Sequence, residues 1–277
     1  MKLVRYAAPE PHWGLLHDGL VRSLGSTAQA SEQAALDWLV DRGRPAPAVD
    51  TTPVPLEGLT LLAPLAREAT VYCIGFNYRS HAAESGRDVP PHPTVFIRTA
   101  ASLVGSGAAM LRPRASSHYD YEGELAVVIG RGGRHIPEAQ ALSHVGALTC
   151  FNDGSVRDFQ QHSLAAGKNF ARSGACGPAL TSVEEAGDLD ALPISTRLNG
   201  VLVQQSTTAL LVYPIAQLVS YLSEIVELRT GDLIATGTPE GVGFRRVPPL
   251  WLQAGDTVAV EVGGVGRLVN RVEDEPS

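Results

Sequence analysis

Cysteine is scarce in this chain, and what there is of it stands apart. Cys73, Cys150 and Cys176 are odd in number, far from one another and never spaced C-x-x-C, which argues against both a disulfide framework and a zinc site. They read as buried thiols. Uninterrupted apolar runs of membrane-spanning length are missing, and the N-terminus, MKLVRYAAPEPHWG, has no apolar stretch of signal-peptide length, so a cytoplasmic protein is expected. Basic residues are outnumbered: 22 Lys and Arg against 29 Asp and Glu leave a net charge of −7, with no long basic run and no basic stripe interleaved with aromatics. The electrostatic footprint of a nucleic-acid-binding protein is therefore lacking. Small molecules are the expected partners, with neither nucleic acid nor membrane among them.

What is present suits a soluble globular protein. The 277 residues are 44% hydrophobic and 18% charged, with a mean hydropathy of +0.02, enough apolar material for a sizeable core. The first segment reads as a small α/β unit. Asp18-Gly19 lies between two apolar runs, as in a tight hairpin, and SEQAALDWLVDRG repeats apolar residues at helical spacing, with Ser31 as its cap and Gly43 as its stop. Pro45, Pro47, Pro53 and Pro55 then mark a linker, and the boundary between an N-terminal unit (1–65) and the main body (66–277) is expected near residue 65. Beyond it the texture is β-rich. Asn199-Gly200 and Gly263-Gly264 join pairs of strands, PIAQLVSYLSEI is the clearest later helix, and no regular βαβ alternation occurs. The expected class is α+β with a mixed, mostly antiparallel sheet assembly.

The stretch DYEGELAVVIG opens an apolar, β-branched strand with carboxylates. Side chains alternate along a strand, so Glu122 and Glu124 share a face while Tyr121 and Gly123 point away. Two like charges so placed are costly unless they are solvated, share a proton or meet a cation. Asp153, at the end of the apolar run VGALTCF, supplies a third carboxylate at a strand end. Glu122, Glu124 and Asp153 make a hard, all-oxygen set suited to Mg²⁺, Mn²⁺ or Ca²⁺. Spacing alone leaves a plainer alternative open, a solvated sheet edge with Asp153 as a turn former.

In GFNYRSHAAESG, a short helical turn capped by Ser80 puts His81 and Glu84 at i and i+3, where the carboxylate can orient the imidazole and the pair can deprotonate a water. An exposed helix pair without a catalytic role fits the same spacing. Lys168, in GKNF, reads by itself as a surface charge. TGTPEGVGF is a glycine-rich turn whose N–H groups and Thr238 suit an anion, without the G-K-[ST] ending of a nucleotide-binding loop.

Taken in order, GFNYRSHAAE, DYEGELAVVIG, FNDGSVRDFQ, GKNF and TGTPEGVGF resemble the fumarylacetoacetate hydrolase family, particularly its compact bacterial branch, from about residue 70 to the C-terminus. The resemblance implies a mixed β-sandwich roll, a homodimer and a metal-dependent enzyme acting on 1,3-dicarbonyl compounds such as acylpyruvates. It places the metal carboxylates on Glu122, Glu124 and Asp153, the water-activating dyad on His81 and Glu84, and the lysine that stabilises oxyanion or enolate charge on Lys168. Arg157, Gln160 and Thr238 match substrate-contacting positions. The implied reaction is hydrolytic C–C cleavage: the metal polarises one carbonyl, the dyad delivers hydroxide to the other, and the carbanion leaves as an enolate. Decarboxylation, tautomerisation or isomerisation, and hydration or dehydration pass through the same enolate and form the alternative. A non-catalytic metal or dicarboxylate binder leaves the dyad and Lys168 without a purpose.

The chain departs from the family pattern at three places. Larger members carry a further metal-binding aspartate seven residues before the dyad histidine, where this chain has Ile74, so three protein carboxylates are expected. The interval QHSLAAG between Gln160 and Lys168 is short and lacks a tyrosine found in some hydrolases. Arg98 stands where many relatives have lysine, offering a fork suited to bidentate contact with a carboxylate.

Overall fold

Two tight turns show how the sequence folds back on itself. In the computed structural model, which describes residues 2–26, 29–40, 52–66 and 68–276, Asp18-Gly19 and Asn199-Gly200 have positive φ at both positions (46° and 74°, 51° and 81°). Asn, Asp and Gly tolerate that conformation best, and it matches the twist of the strands on either side. The first turn joins β1 (Lys2–Tyr6) and β2 (His12–His17) to β3 (Leu20–Ser26), through the β2–β3 hairpin. Helix α1 follows at Gln29–Val40. It starts two residues before Ser31, so Ser31 lies inside the helix and is not its cap. Gly43, Pro45 and Pro47 lie outside the described residues. Val54–Pro55 pairs with β3 as an outer strand, a position proline tolerates.

The body contributes β4 (Val71–Gly75), α2 (Arg79–Glu84), β5 (Thr94–Arg98), β6 (Gly123–Ile129), β7 (Val145–Asn152), α3 (Leu164–Lys168), β8 (Gly174–Ser182), β9 (Pro193–Leu198), β10 (Val201–Thr207), α4 (Ile215–Ile225), β11 (Leu233–Ala235), β12 (Thr257–Val262) and β13 (Gly266–Asp274). Beyond Val54–Pro55, the large sheet runs β3-β2-β1-β8-β7-β6-β11-β4-β5. The N-terminal strands thus continue the sheet of the body, with Lys2 opposite Thr181 and Leu3 opposite Leu180. A second sheet runs β10-β9-β12-β13 and ends on Met110–Arg112. Most ladders are antiparallel; β4–β11 is parallel, as are β8 with Leu103–Val104 and β13 with Met110–Arg112. The architecture is the β-rich, mixed α+β class expected from the sequence.

Strand β6 explains why its sequence is apolar at nearly every position. Leu125, Val127 and Ile129 face the second sheet and α4, meeting Val258, Val260, Leu218 and Leu222. Ala126 and Val128 face the other way, into a core with Trp13, Leu36, Val71 and Leu233. A strand covered on both faces reads as a continuous hydrophobic run rather than an alternating one. Gly123 sits where the sheets approach closely: a Cβ there would lie 1.9 Å from Thr196 Oγ1. Among the described residues, no helix is long and apolar enough to cross a membrane.

Candidate active site

Strands β6 and β7 bring the carboxylates together. Gly123 is opposite Asn152 in the ladder, the Asp153 amide donates to Glu122 O at 2.8 Å, and the Glu122 amide donates to Asn152 Oδ1 at 3.0 Å. Tyr121 points into the core, as the alternation requires, while Glu122, Glu124 and Asp153 are all buried, each offering an oxygen within 4.8 Å of the others'. Ile74 lines the same cavity and supplies no oxygen. Among the described residues the cluster therefore has three carboxylates.

The chain's own cations already grip this cluster. Lys168 Nζ lies 2.6 Å from both Glu122 Oε2 and Asp153 Oδ2, and donates to Asp153 O at 3.1 Å. It is brought there by α3, a short helix whose cap Ser163 accepts from the Ala166 amide. The neighbouring Asn169 fastens α3 to the β5 end, accepting from the Thr99 amide and donating to Ile97 O. Arg98, fully buried, gives Nη1 to Asp153 Oδ1 at 2.6 Å and to Gly154 O, and its other nitrogens to Ser102 and Ser173. Its fork is thus not spent bidentately on the carboxylate; it ties Asp153 to three backbone segments. Arg157 joins Glu122 Oε1 (Nη1, 2.6 Å) to Asp120 Oδ2 (Nε 2.9 Å, Nη2 2.8 Å).

Burial pushes the Glu122 carboxyl up, but Lys168 and Arg157 outweigh it and hold the group at about 2. Burial lowers Lys168, yet Asp153 and Glu122 leave it above its usual value. Glu124 fares differently: burial, reinforced by Asp153 and Glu122, raises it well above the ordinary carboxyl range. Four buried carboxylates, counting Asp120, face three buried cations, so one negative charge is left to a proton or to a further cation.

The dyad stands on the same cavity. His81 Nδ1 donates to Glu84 Oε1 at 2.9 Å, and its ring stacks on Phe76 with centroids 5.5 Å apart. Phe76 takes a positive φ of 56°, an unusual conformation for a bulky residue. Asn77 anchors the approach to α2 through Tyr213 and Thr236 O. The helix begins at Arg79 after Tyr78, so Ser80 is not its cap; the Ser80 hydroxyl bonds Glu240 instead.

The glycine-rich turn does hold anions, but they are the chain's own. Gly237 N–H donates to Glu124 Oε2 (2.8 Å), Gly241 to Glu84 Oε2 (3.0 Å), and Gly243 and Phe244 to Asp120 (2.8 and 3.1 Å). Thr238 lines the cavity, with its hydroxyl donating to Gly123 O and accepting from Gln204 Nε2. Gln160 accepts from Arg157 Nη1 at 3.3 Å and leaves Nε2 buried without a partner.

Of the site residues expected from the sequence, all except Glu84 line one cavity of about 540 Å³: His81, Glu122, Glu124, Asp153, Arg157, Gln160, Lys168 and Thr238. Glu84 sits behind His81.

The sequence model of the fumarylacetoacetate (FAA) hydrolase C-terminal family matches residues 70–273. The chain belongs to the fumarylacetoacetate hydrolase family. It is 36% identical over 287 residues to a mitochondrial oxaloacetate tautomerase of Rattus norvegicus, covering 98% of this chain and 91% of that protein. A crystal structure of a 5-carboxymethyl-2-hydroxymuconate delta-isomerase from Mycobacterium smegmatis superposes with a TM-score of 0.80 at 30% identity, covering 100% of both chains. A fumarylpyruvate hydrolase from Pseudomonas aeruginosa, in complex with Mn²⁺ and pyruvate, gives 0.69 at 32% identity over 82% of this chain and 93% of that one.

The family carboxylates pass a chemical test for a divalent ion here. They are buried, all-oxygen, mutually close and short of one positive charge, as a hard cation with oxygen ligands at about 2.0–2.6 Å demands. Asp120 and Gln204 were invisible to motif reading. Asp120 is the anchor of Arg157 and of the 243–244 turn, whereas Gln204 joins Gly123 N–H to Thr238. Only partners distant in sequence, 37 to 124 residues away for Asp120 and 34 to 81 for Gln204, reveal either role, and spacing carries no signal for them.

Proposed function

We propose that the protein is a divalent-metal-dependent enzyme that moves a proton next to a carbonyl in 2-oxo acids bearing a second carbonyl, with keto–enol tautomerisation as its outcome. The observation that carries this reading is the adjacency, in one cavity, of an undercompensated carboxylate cluster and a carboxylate-held imidazole. The name of the rat relative, an oxaloacetate tautomerase matching nearly the whole chain, supports it.

Glu122, Glu124 and Asp153 hold the ion, Mg²⁺ or Mn²⁺ in preference to Ca²⁺. When bound, it supplies Lewis-acid polarisation of the substrate's carbonyl oxygens. Because Nδ1–H of His81 is given to Glu84, the other ring nitrogen is the base that takes the proton from carbon and returns it. Glu84 keeps the tautomer and steadies the imidazolium that forms. Lys168 places positive charge where enolate oxygen develops, and Arg157 and Gln160 Nε2 orient the substrate carboxylate. Thr238 serves the same wall.

A second reading, hydrolytic C–C cleavage of an acylpyruvate, is favoured by the dyad itself, since a carboxylate-held imidazole equally activates water, and by the fumarylpyruvate hydrolase neighbour. Enolisation of oxaloacetate followed by enol absorbance, run beside NMR product analysis of acetylpyruvate with Mg²⁺ or Mn²⁺, separates the two. Accelerated enol–keto exchange without new carboxylic acid supports tautomerisation; stoichiometric pyruvate and acetate support cleavage; neither, with metal bound, sinks both. In the same reading the enzyme works in the cytoplasm as a homodimer, and a monomeric mass by light scattering would count against the assembly.

A further inference from the structure

Asp120 is fully buried behind Arg157, off the cavity wall and outside the cluster of Glu122, Glu124 and Asp153. It lies on a two-residue strand, Tyr119–Asp120, that pairs with Ser155–Val156 and so brings Arg157 alongside. Asp120 Oδ1 accepts from the Tyr121 and Gly243 amides, each at 2.8 Å. Oδ2 accepts from the Phe244 amide at 3.1 Å and from Arg157 Nε at 2.9 Å, with Arg157 Nη2 2.8 Å away. Every one of these partners is an N–H group. A protonated carboxyl would have no acceptor among them for its own hydrogen, so the pattern is that of a carboxylate. Burial raises the group, and Arg157 with the Phe244 amide offsets part of that rise.

Arg157 faces two ways. Its Nη1 is 2.6 Å from Glu122 Oε1, while its guanidinium carbon lies 4.2 Å from the centroid of the Phe244 ring, whose own amide is fixed on Asp120. One cation is thus shared between a carboxylate of the cluster and one outside it. With Glu122 as its only counter-ion, Arg157 would leave the cluster with three carboxylates against three cations, and Glu122, already on Lys168 through Oε2, would have a cation on each oxygen. Asp120 takes up Arg157 instead, and the negative surplus passes to the cluster. We propose that Asp120 is a positioning residue that acts through Arg157 to set the divalent-metal affinity of a site it does not touch. It supplies the charge by which the carboxylates exceed their internal cations, and it keeps Arg157 from closing on Glu122. This rests on the cluster being the metal site and is independent of the reaction that follows.

The test is calorimetric titration of chelator-treated protein with Mn²⁺, with a urea midpoint recorded for each variant. Asp120→Asn keeps an oxygen for the Tyr121 and Gly243 amides but leaves three carboxylates against three cations. Its Mn²⁺ binding should weaken by roughly tenfold to a hundredfold, the range for outer partners of metal ligands. Arg157→Gln moves the balance the other way, to four against two, with Asp120 still held by three backbone N–H groups, and should bind Mn²⁺ more tightly than the native protein. Asp120→Asn/Arg157→Gln regains the native surplus of one and should return close to native affinity. A bracing role alone lowers the urea midpoints and does not produce affinity changes of opposite sign. Native affinity in Asp120→Asn, unchanged or weaker binding in Arg157→Gln, or a double variant as weak as Asp120→Asn overturns the proposal. If Asp120→Asn does not fold, the direction of change in Arg157→Gln decides. If the native protein binds no Mn²⁺, the metal reading falls and this inference with it. If the affinities follow the expected signs but no dicarbonyl compound is enolised or cleaved, the catalytic reading alone fails.

Discussion

The Gly237 amide donates to Glu124 Oε2 at 2.8 Å, one of four N–H groups that the 237–244 turn aims at the chain's own carboxylates. That bond orients Glu124 without neutralising it, and among the described residues no lysine or arginine is paired with it as Lys168 is with Glu122 and Asp153. The consequence is a division of labour: two carboxylates balanced by fixed cations, and a third whose charge waits on a proton or a metal.

From this division follows a pH dependence. The raised Glu124 carboxyl keeps its proton where an ordinary glutamate has lost it, so metal must displace that proton. Metal affinity should therefore rise with pH, by up to about tenfold per unit for one proton, and level off above the raised value. Calorimetric titration in buffers of different ionisation heat should show proton release; uptake, or none, would refute the assignment. In the metal-free protein the sign for stability is opposite. The unfolded chain gives up the proton near the ordinary value while the folded one holds it, so Glu124 contributes less stability as pH rises through that window.

Lys168 is expected to hold the metal-free site together. In Lys168→Ala, Glu122 and Asp153 lose their shared partner inside the protein, and breaking such a buried pair costs about 3–5 kcal/mol. Denaturant midpoints should fall accordingly without metal and recover partly with Mg²⁺ or Mn²⁺, because the ion replaces the missing charge. Turnover should not recover with them. A variant equally stable with and without metal would show that Lys168 does not compensate these carboxylates.

The cysteines supply a check on packing that is independent of chemistry at the site. Burial raises all three thiols, Cys150 to about 12 and Cys73 and Cys176 further above their usual value. The thiolate is the reactive form. Native protein at mildly alkaline pH should leave a chromogenic disulfide reagent unconsumed, and denatured protein should consume three equivalents per chain. Rapid native labelling would contradict the burial of β4, β7 and β8.

What the sequence made legible was whatever depends on near neighbours. Hairpin turns at Asp18-Gly19 and Asn199-Gly200, the α4 periodicity, the alternation that pairs Glu122 with Glu124 and the i, i+3 meeting of His81 with Glu84 all follow from local stereochemistry. The helix caps failed because Ser31 and Ser80 are attractive capping residues that the chain uses elsewhere, inside α1 and against Glu240. The cationic cage was missed for another reason. Arg98 ends β5, Arg157 lies in a turn beyond β7 and Lys168 ends α3, and they converge only through the sheet order, which no local pattern encodes. The carboxylate pair did raise the question of a compensating cation; the fold answers it first with side chains, then leaves one charge for an ion.

The strongest test of the dyad separates it from that ion. Glu84 lines no part of the metal cluster; its oxygens are given to His81 Nδ1–H and to the Gly241 amide. Glu84→Ala removes both acceptors, so the imidazole loses its tautomer and its counter-charge while Glu122, Glu124 and Asp153 keep theirs. Turnover should fall by roughly 10²–10⁴-fold, the range for a lost general base, with Mg²⁺ or Mn²⁺ affinity nearly intact. Glu84→Gln, which still accepts from one of the two N–H groups, should fall between the variant and the native enzyme. The contrast with Glu124→Ala decides the matter, since that change removes the undercompensated carboxylate and should weaken metal binding and turnover together. Were Glu84→Ala to lose the metal, or to turn over at the native rate, His81 and Glu84 would be a structural pair that braces α2 against the 237–244 turn, and the proton would have to be moved by another group on the cavity wall.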